Sequence, residues 1–282
     1  MLRKKSKRHF YIVTVIVVLL VIWTAWSNTT VGITHYTVAS DKLPASFDHY
    51  SIVVVSDLHN AEFGENNSQL IKLIEKEKPD IIVITGDLVD SNKTNIDIAQ
   101  KLVGTLTGIA PCYYVTGNHE AWLGEQYQEL ESILLDEGVA ILHDRAVQLI
   151  KNTESIQLAG LDDPDFTDRA PLQQSMIKTK INNMNLTDNY CVLLSHRPEA
   201  FEDYVSENID LVLSGHAHGG QFLLPIICGI AAPNQGLFPK YDAGIYSENY
   251  TTMVVSRGIG NSIIPIRFNN RPEIISVELI CE

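Results

Sequence analysis

Several apolar segments of the sequence each end in residues that can bind a metal ion or transfer a proton. These are Ile52–Val55 before Asp57 and His59, Ile81–Thr85 before Asp87, Tyr113–Thr116 before Asn118 and His119, Val192–Leu194 before His196, and Leu211–Leu213 before His216 and His218. After a single strand, such a residue is equally well explained by a turn or a helix cap. A random chain would rarely place one after every strand, so the joint pattern predicts a functional site.

The donor atoms of these side chains indicate which ions the site would take. Carboxylate, amide and imidazole groups without a thiolate suit Mn, Fe, Zn or similar divalent ions better than a calcium cage or a Cys-rich structural zinc. One catalytic zinc uses about three protein ligands, so this larger set predicts two ions about 3.5–4 Å apart that share one carboxylate. Two such ions activate a shared water as hydroxide and neutralise the charge of a phosphoryl group.

The segments that must position these residues have the pattern of strands covered on both faces. They are rich in β-branched residues and lack the polar alternation of a half-exposed strand. In α/β sheets, functional sites form at the carboxyl ends of the strands. Amphipathic helices are predicted between strands, and turn-linked strands follow Tyr241; the helices are Gln69–Glu77, Ile96–Leu106 and Tyr127–Leu135, and the late strands Thr251–Ser256 and Glu273–Leu279. This order predicts one α/β domain with a β-rich C-terminal part.

The N-terminal residues have the composition of a membrane anchor. Residues 1–9 contain five basic residues and no acid, and Phe10–Trp26 is uncharged and mostly apolar. We predict a cytoplasmic basic segment at 1–9, a transmembrane anchor at 10–26, a tether and first strand at 27–50, and a catalytic domain at 51–282 outside the cytoplasm. A cleaved signal peptide is the alternative, because Ala25-Trp26-Ser27 loosely fits a cleavage site.

Charge and cysteine usage exclude other classes of function. The chain has 21 Lys and Arg against 34 Asp and Glu, a net charge of −13, which argues against nucleic-acid binding. The four cysteines are widely spaced, without a CxxC pair that would indicate zinc or redox chemistry. Cys112 and Cys191 lie in strand-like segments and are expected to be buried thiols. The oligomeric state has no signature in the sequence.

The motifs together resemble those of the calcineurin-like metallophosphoesterase family. The resemblance runs from Ser51 to Leu279 and rests on Asp57-x-His59, Gly86-Asp87, Gly117-Asn118-His119-Glu120, His196 and Gly215-His216-x-His218. The exported or membrane-anchored bacterial branch is the most similar, through Gly219-Gly220-Gln221, Ser256-Arg257-Gly258-Ile259-Gly260, Pro265-Ile266-Arg267-Phe268 and Pro272-Glu273. The fold that this resemblance implies is a four-layer α/β/β/α sandwich.

The resemblance also implies a role for each site residue. Asp57, His59 and His218 would hold the first ion, Asp87 would bridge the two ions, and Asn118, His196 and His216 would hold the second. His119 would be a catalytic residue that protonates or stabilises the leaving oxygen and binds no metal. Ala217 replaces the threonine that the family usually has there, which should matter little because that position supplies no side-chain ligand.

The function implied is a membrane-anchored phosphoesterase that cleaves phosphodiester or pyrophosphate bonds, with lipid or cell-envelope phosphoesters as candidate substrates. A nucleotide or cyclic-nucleotide phosphodiesterase and a metal-stabilised binding module without turnover are the alternatives. Arg197 and Arg257 could bind a substrate phosphate or pair with surface acids, and Asp162-Asp163 could support the site or form a plain turn. The apolar segment Phe222–Ala232 could be a buried loop or an apolar lip that accepts acyl chains.

Overall fold

Two sheets packed face to face form the centre of the molecule. The computed structural model describes residues 2–167, 174–223, 229–261 and 264–282, and within these ranges each of the two sheets has six strands. The helices are α1 (Leu2–Thr29), α2 (Ser68–Glu77), α3 (Ile96–Leu106), α4 (Asn118–Trp122), α5 (Tyr127–Asp136), α6 (Gln174–Asn183) and α7 (Phe201–Ser206). The strands are β1 (Gly32–Ser40), β2 (Tyr50–Val55), β3 (Ile81–Thr85), β4 (Cys112–Val115), β5 (Ala140–Ile141), β6 (Arg145–Lys151), β7 (Glu154–Gly160), β8 (Cys191–Leu194), β9 (Leu211–Ser214), β10 (Ala231–Ala232), β11 (Gly236–Leu237), β12 (Gly244–Glu248), β13 (Thr251–Val255) and β14 (Glu273–Cys281).

The strands that precede the predicted site residues run parallel in the middle of each sheet. The first sheet has the order β1-β14-β2-β3-β4-β5, with β2 to β5 parallel and β14 antiparallel to β2. The second has the order β12-β13-β9-β8-β7-β6, with β7, β8, β9 and β13 parallel and antiparallel strands at both edges. Parallel strands bring their carboxyl ends to one edge, which gathers the residues that follow them.

Alternate residues of each central strand enter different cores. In β2, Ile52 and Val54 pack between the two sheets, whereas Val53 and Val55 face the layer formed by α2, α3 and α5. In the second sheet, Leu193 faces a third core, which α6 and α7 cover. Burying such a side chain stabilises the fold by about 1.5–3 kcal/mol, so both faces of these strands are apolar. The layers are helix, sheet, sheet and helix, which confirms the predicted α/β/β/α sandwich.

The N-terminal helix α1 extends beyond the folded layers. Its segment Lys7–Thr29 is long and apolar enough to cross a membrane, by length and composition, and little of it is buried. Only Thr30 and Val31 separate α1 from β1, which pairs in parallel with β14 along its whole length. The side chain of Asn28 makes two hydrogen bonds with the backbone of Arg267: its Nδ2 donates to the carbonyl oxygen at 2.7 Å, and its Oδ1 accepts from the amide at 2.8 Å.

The segment Phe222–Ala232 can be described only in part, because residues 224–228 lie outside the described residues. Phe222 forms a bridge with Phe268, and Leu223 forms one with Gly229. Both Phe222 and Leu223 are partly buried. Cys112 and Cys191 are buried free thiols, as expected.

Candidate metal centre

The loops after five strands bring the predicted site residues into one buried cluster. The predicted residues are Asp57 and His59 after β2, Asp87 after β3, Asn118 and His119 after β4, His196 after β8, and His216 and His218 after β9, all of them buried. The structure therefore gathers side chains that lie up to 161 residues apart in the sequence (218 − 57 = 161).

The backbone turns sharply after β2, β3 and β9, where these strands lead into ligand-type side chains. Asp57, Asp87 and His216 have φ values of 52°, 52° and 66°, a left-handed conformation that costs non-glycine residues roughly 1–3 kcal/mol each. The amide of Asp57 donates to the carbonyl of Gly86 at 3.1 Å, which ties the loops after β2 and β3 together. Gly117 packs directly on the Asp87 carboxylate and leaves no space for a Cβ atom. Such local strain is typical of functional sites.

Asp57, His59 and His218 form the first group of converging donor atoms. Their potential ligand atoms all lie within 4.8 Å of one another. The Nε2 atoms of His59 and His218 face each other at 3.2 Å, and Nε2 of His218 lies 3.5 Å from Oδ1 of Asp57.

Asp87, His196 and His216 form the second group, with Asn118 beside them. Nε2 of His196 lies 3.2 Å from Oδ2 of Asp87, 3.1 Å from Oδ1 of Asn118 and 3.1 Å from Nδ1 of His216. The same Oδ2 of Asp87 lies 3.5 Å from Nε2 of His59. Asp87 is therefore within reach of both groups.

The protonation states of these groups fit the binding of divalent cations. Burial lowers the pKa of His59 well below its usual value and that of His218 to about 4, so both rings are neutral near pH 7. Burial opposes ionisation of Asp87, but the neighbouring imidazoles, His196 first, outweigh it and hold the pKa of Asp87 well below its ordinary value. Neutral imidazoles and ionised carboxylates are the forms that coordinate metals. With their nitrogen and oxygen donors, the two groups fit Mn, Fe or Zn.

The carboxylate of Asp87 also governs the protonation of His196. Burial disfavours its protonated form, but the carboxylate of Asp87 outweighs burial and raises the pKa of His196 to about 10. A divalent cation at this position would take over the role of that proton.

Two hydrogen bonds position His119, one made by its backbone amide and one by its ring. Its amide donates to Oδ1 of Asp87 at 2.8 Å, and its Nδ1 accepts from the amide of Ser91 at 3.1 Å. The ring lies edge-on to His59, with centroids 4.5 Å apart. Its ligand atoms also approach those of His59 and Asp90 within 4.8 Å. Because Nδ1 accepts a hydrogen bond from the amide of Ser91, the neutral form of the ring carries its proton on Nε2.

Glu120 holds two of the site loops together; it belongs to the Gly117-Asn118-His119-Glu120 motif, but no role was predicted for it. Its buried carboxylate accepts from the amides of Asp87 and Leu88 at 2.8 Å each and from that of Gly117 at 2.7 Å. Burial, aided by the charge of Asp87, raises the pKa of Glu120 to about 8 despite these amide donors.

Arg197 supports the second group from behind. Its Nε and Nη2 donate to the carboxylate of Asp163 at 2.5 and 2.7 Å, and its Nη1 lies 3.2 Å from Nε2 of His216. Arg197 and Asp163 are both buried. The buried pair with Asp163 differs from the surface ion pair considered for Arg197. A role of Arg197 in binding a substrate phosphate and a role of Asp163 in supporting the site remain predictions. Arg257 lies 3.9 Å from Glu273 and remains partly exposed.

Two further residues contact candidate ligands without having been predicted to do so. Arg267 is completely buried, and its Nη2 lies 3.2 Å from Nδ1 of His218, the nitrogen that faces away from the cluster. Burial lowers the pKa of Arg267 to about 10. Asn234 contributes its side-chain amide, 3.2 Å from Nε2 of His216. The Pro265-Ile266-Arg267-Phe268 motif was the available signal for Arg267, and nothing in the sequence marked Asn234.

His143, which has no predicted role, belongs to a hydrogen-bond network behind the site. Its Nδ1 lies 2.8 Å from Asp162 and its Nε2 lies 2.6 Å from Glu131. Asp162 accepts from the hydroxyl of Thr116 at 2.9 Å, and that hydroxyl accepts from the amide of Asp163. The hydrogen bond to Asp162 is the main cause of a raised pKa for His143.

Comparison with known proteins agrees with this geometry. Residues 50–220 match the family described as calcineurin-like phosphoesterase. A protein named "Transmembrane protein with metallophosphoesterase domain" from Danio rerio is 31% identical over 248 residues, covering 85% of this chain and 55% of that protein. An uncharacterized metallophosphoesterase of Aquifex aeolicus (strain VF5) is 30% identical over 257 residues, covering 86% and 90% respectively. Phosphodiesterase YaeI of Escherichia coli (strain K12) is 28% identical over 235 residues, covering 82% of each chain. The chain thus spans about half the length of the Danio rerio protein and most of the two bacterial ones.

Proposed function

The chain belongs to the calcineurin-like phosphoesterase family and is a metal-dependent phosphoesterase, and from this premise we propose that it is a membrane-anchored enzyme with two divalent ions. Its reaction is the hydrolysis of a phosphodiester or pyrophosphate bond. The observation that carries the proposal is the position of Asp87, whose Oδ2 lies 3.2 Å from His196 and 3.5 Å from His59. One carboxylate between two donor groups is the arrangement that a pair of ions requires.

The first ion would be held by Asp57, His59 and His218, and the second by Asn118, His196 and His216, with Asp87 shared. When bound, two divalent ions activate water as a nucleophile and neutralise the charge that develops on a phosphoryl group. Burial of the cluster excludes bulk water, which strengthens these electrostatic interactions. The identity of the ions follows from the nitrogen and oxygen donors: Mn, Fe, Zn or a similar metal.

His119 would act on the leaving oxygen. The Ser91 amide occupies its Nδ1, so the proton on Nε2 is the one available for transfer. Its amide hydrogen bond to Asp87 fixes the ring relative to the shared carboxylate. Protonation of a leaving alkoxide by a positioned imidazole accelerates hydrolysis by about 10²–10⁴-fold.

The anchor would be α1, in a single pass with the catalytic domain outside the cytoplasm. Lys7–Thr29 has the length and composition of a membrane span, and residues 1–9 carry basic residues and no acid. Basic residues next to a membrane span favour the cytoplasmic side. The name of the Danio rerio relative, which includes the word transmembrane, supports the same assignment.

Metal content and turnover of the full chain in detergent micelles test the proposal. We expect about two equivalents of divalent metal per chain and hydrolysis of bis-p-nitrophenyl phosphate that EDTA abolishes and Mn²⁺ restores. The variant Asp136→Asn changes an exposed carboxylate at the end of α5, far from the predicted ligands in the sequence. Its metal content and turnover should equal those of the wild type. Turnover that survives complete metal removal, or a single equivalent at full activity, would refute the two-ion proposal. A panel of lipid-linked and nucleotide phosphodiesters then separates the substrate classes.

A further inference from the structure

Two neighbouring segments expose large apolar side chains on the surface of the catalytic domain. Ile264 and Ile266 are 42% and 51% exposed, and Leu237 and Phe238 are 71% and 59% exposed. Single exposed apolar residues are common on protein surfaces, but a cluster marks a binding face. We call these four residues the apolar face.

Hydrogen bonds connect the two halves of the apolar face. The side-chain amide of Gln221 donates to the carbonyls of Ile264 and Ile266, both at 2.8 Å. The next residue, Phe222, accepts from the amide of Ile230 at 3.0 Å, and the carbonyl of Ile230 accepts from the amide of Phe238 at 2.8 Å. The residues 221–222 therefore link the two exposed segments, directly to Ile264 and Ile266 and through Ile230 to Phe238.

The apolar face is continuous with the anchor helix. A cavity of about 470 Å³ lies between α1 and the segment that carries Ile266. Its lining is mostly apolar and consists of Val17, Leu20, Val21, Thr24, Ala25, Asn28, Pro265 and Ile266. Below it, the guanidinium of Arg271 lies 4.9 Å from the ring centroid of Trp26. Tryptophan and arginine side chains commonly lie at the membrane–water interface. The Trp26–Arg271 pair therefore indicates the depth of the apolar face relative to a bilayer.

The same two segments carry side chains that contact candidate metal ligands. Arg267, next to Ile266, lies 3.2 Å from His218. Asn234, in the hairpin that ends at Leu237, lies 3.2 Å from His216. The metal centre is therefore only one layer of side chains behind the apolar face.

The geometry points to the lipid bilayer as the occupant of the apolar face, with the phosphate of a membrane lipid as the substrate. This inference rests on the proposed function and specifies its substrate class. One wall of the cavity is the helix that would lie among lipid chains, so acyl chains are the groups that reach it. The chain has a net charge of −13, so a basic surface is not what attracts the domain to lipid head groups. The attraction to the bilayer would come from the insertion of apolar side chains.

Fluorescence quenching tests the location of the apolar face without relying on turnover. The full chain carrying Leu237→Trp is placed in vesicles of phosphatidylcholine brominated on its acyl chains. The matched control is Tyr250→Trp, because Tyr250 is 86% exposed and lies in the turn between β12 and β13. Relative to the parent chain, the lipid should quench more than about half of the added fluorescence for Leu237→Trp and almost none for Tyr250→Trp. Equal quenching of the two variants, or protection of Leu237→Trp from both lipid and aqueous quenchers by a protein partner, would overturn the inference.

Matched substrates test the substrate class. Methyl p-nitrophenyl phosphate and the diester in which diacylglycerol replaces methyl release the same leaving group, p-nitrophenol. A difference in their kcat/KM therefore reports the contribution of the lipid group alone. We expect kcat/KM at least tenfold higher for the lipid diester in mixed micelles, because remote binding energy adds to the reaction.

Surface variants connect this preference to the apolar face. Ile266→Gln and Phe238→Gln should lower kcat/KM for the lipid diester about fivefold or more and leave the methyl diester within about twofold, whereas Tyr250→Gln should change neither. Equal kcat/KM for the two diesters in the wild type would overturn the lipid assignment. Absence of turnover on both diesters would refute the proposed function, and the quenching experiment would still decide the location of the apolar face.

Discussion

Replacement of Asp163 by alanine leaves the guanidinium of Arg197 buried without its main partner. The carboxylate of Asp163 accepts two hydrogen bonds from Arg197, at 2.5 and 2.7 Å. Breaking a buried ion pair from one side costs about 3–5 kcal/mol. Arg197 would keep Asp165 at 3.2 Å and Glu199 at 3.6 Å, so the lower end, about 3 kcal/mol, is expected. At about 2–4 °C per kcal/mol for a domain of this size, Tm should fall by roughly 6–12 °C.

The same variant should weaken metal binding, because Arg197 also contacts His216. Loss of a residue that orients a metal ligand reduces affinity by about 10–100-fold. The assay is thermal unfolding of the metal-free full chain in detergent micelles, together with metal titration against a competing chelator. Asp165→Ala is the matched control, since its pair with Arg197 is longer and more exposed and should contribute less than about 1 kcal/mol.

A double variant separates stability from positioning. Asp163→Leu with Arg197→Met removes both charges and should recover most of the lost stability, as apolar replacements of buried ion pairs do. Metal affinity should remain low in the double variant, because His216 still lacks its contact with Arg197. If Asp163→Ala and Asp165→Ala have the same Tm and the same metal affinity, the supporting role assigned to this pair is refuted.

Three further predictions concern single residues of the site and of the network behind it. Asp87→Ala should lose bound metal and activity together, by elemental analysis and rate; full metal occupancy with full rate would contradict the shared-ligand assignment. His119→Gln should keep its metal and lose about 10²–10⁴ in kcat on alkyl leaving groups. It should lose far less on p-nitrophenyl, whose oxygen leaves without protonation, so equal losses would exclude proton donation. His143 has a raised pKa in the folded chain, so its charged pairs stabilise the fold below its unfolded pKa of about 6.5 and lose this effect as pH rises through the folded value. The Tm difference between wild type and His143→Ala should therefore shrink from about pH 6 to about pH 9, and a constant difference would refute this.

The central strands were predictable because both of their faces are buried. The predicted segment Ile81–Thr85 coincides with β3, and the predicted helix Ile96–Leu106 coincides with α3. Their apolar patterns are set by cores that lie on either side of one sheet, so the local sequence carries the information. The four-layer architecture followed from the same pattern together with the family resemblance.

Among the edge strands, a first strand was predicted within 27–50, but β6 and β12 were not predicted from local sequence. β6 mixes exposed residues such as Arg145 and Gln148 with half-buried ones such as Val147, and β12 is similarly exposed. β1 lies at an edge because it pairs with β14, at the opposite end of the chain. Pairings of this kind depend on contacts between distant segments, which a periodicity within one segment does not encode.

The site divides in the same way. Side chains directly after buried strands, such as Asp87 and His216, could be named from the sequence because the sheet brings strand ends together. The supporting contacts of Asn234 and Arg267 could not be predicted, because each joins a residue to a ligand in another segment of the sequence; a motif marked Arg267 but not its contact with His218. A buried arginine has the sequence appearance of a solvated one, and only the fold distinguishes them.

The short connection between α1 and β1 would have a mechanical consequence if α1 anchors the chain in a bilayer, as proposed above. β1 follows α1 after two residues and pairs with β14 over nine residue pairs. A force applied to the helix would have to break this whole set of strand hydrogen bonds before the domain could move away from α1. An anchored domain would therefore stay close to the membrane, and it would contact substrates only in a thin layer above the leaflet. Molecules that diffuse laterally in that leaflet would meet it far more often than equally abundant molecules in free solution.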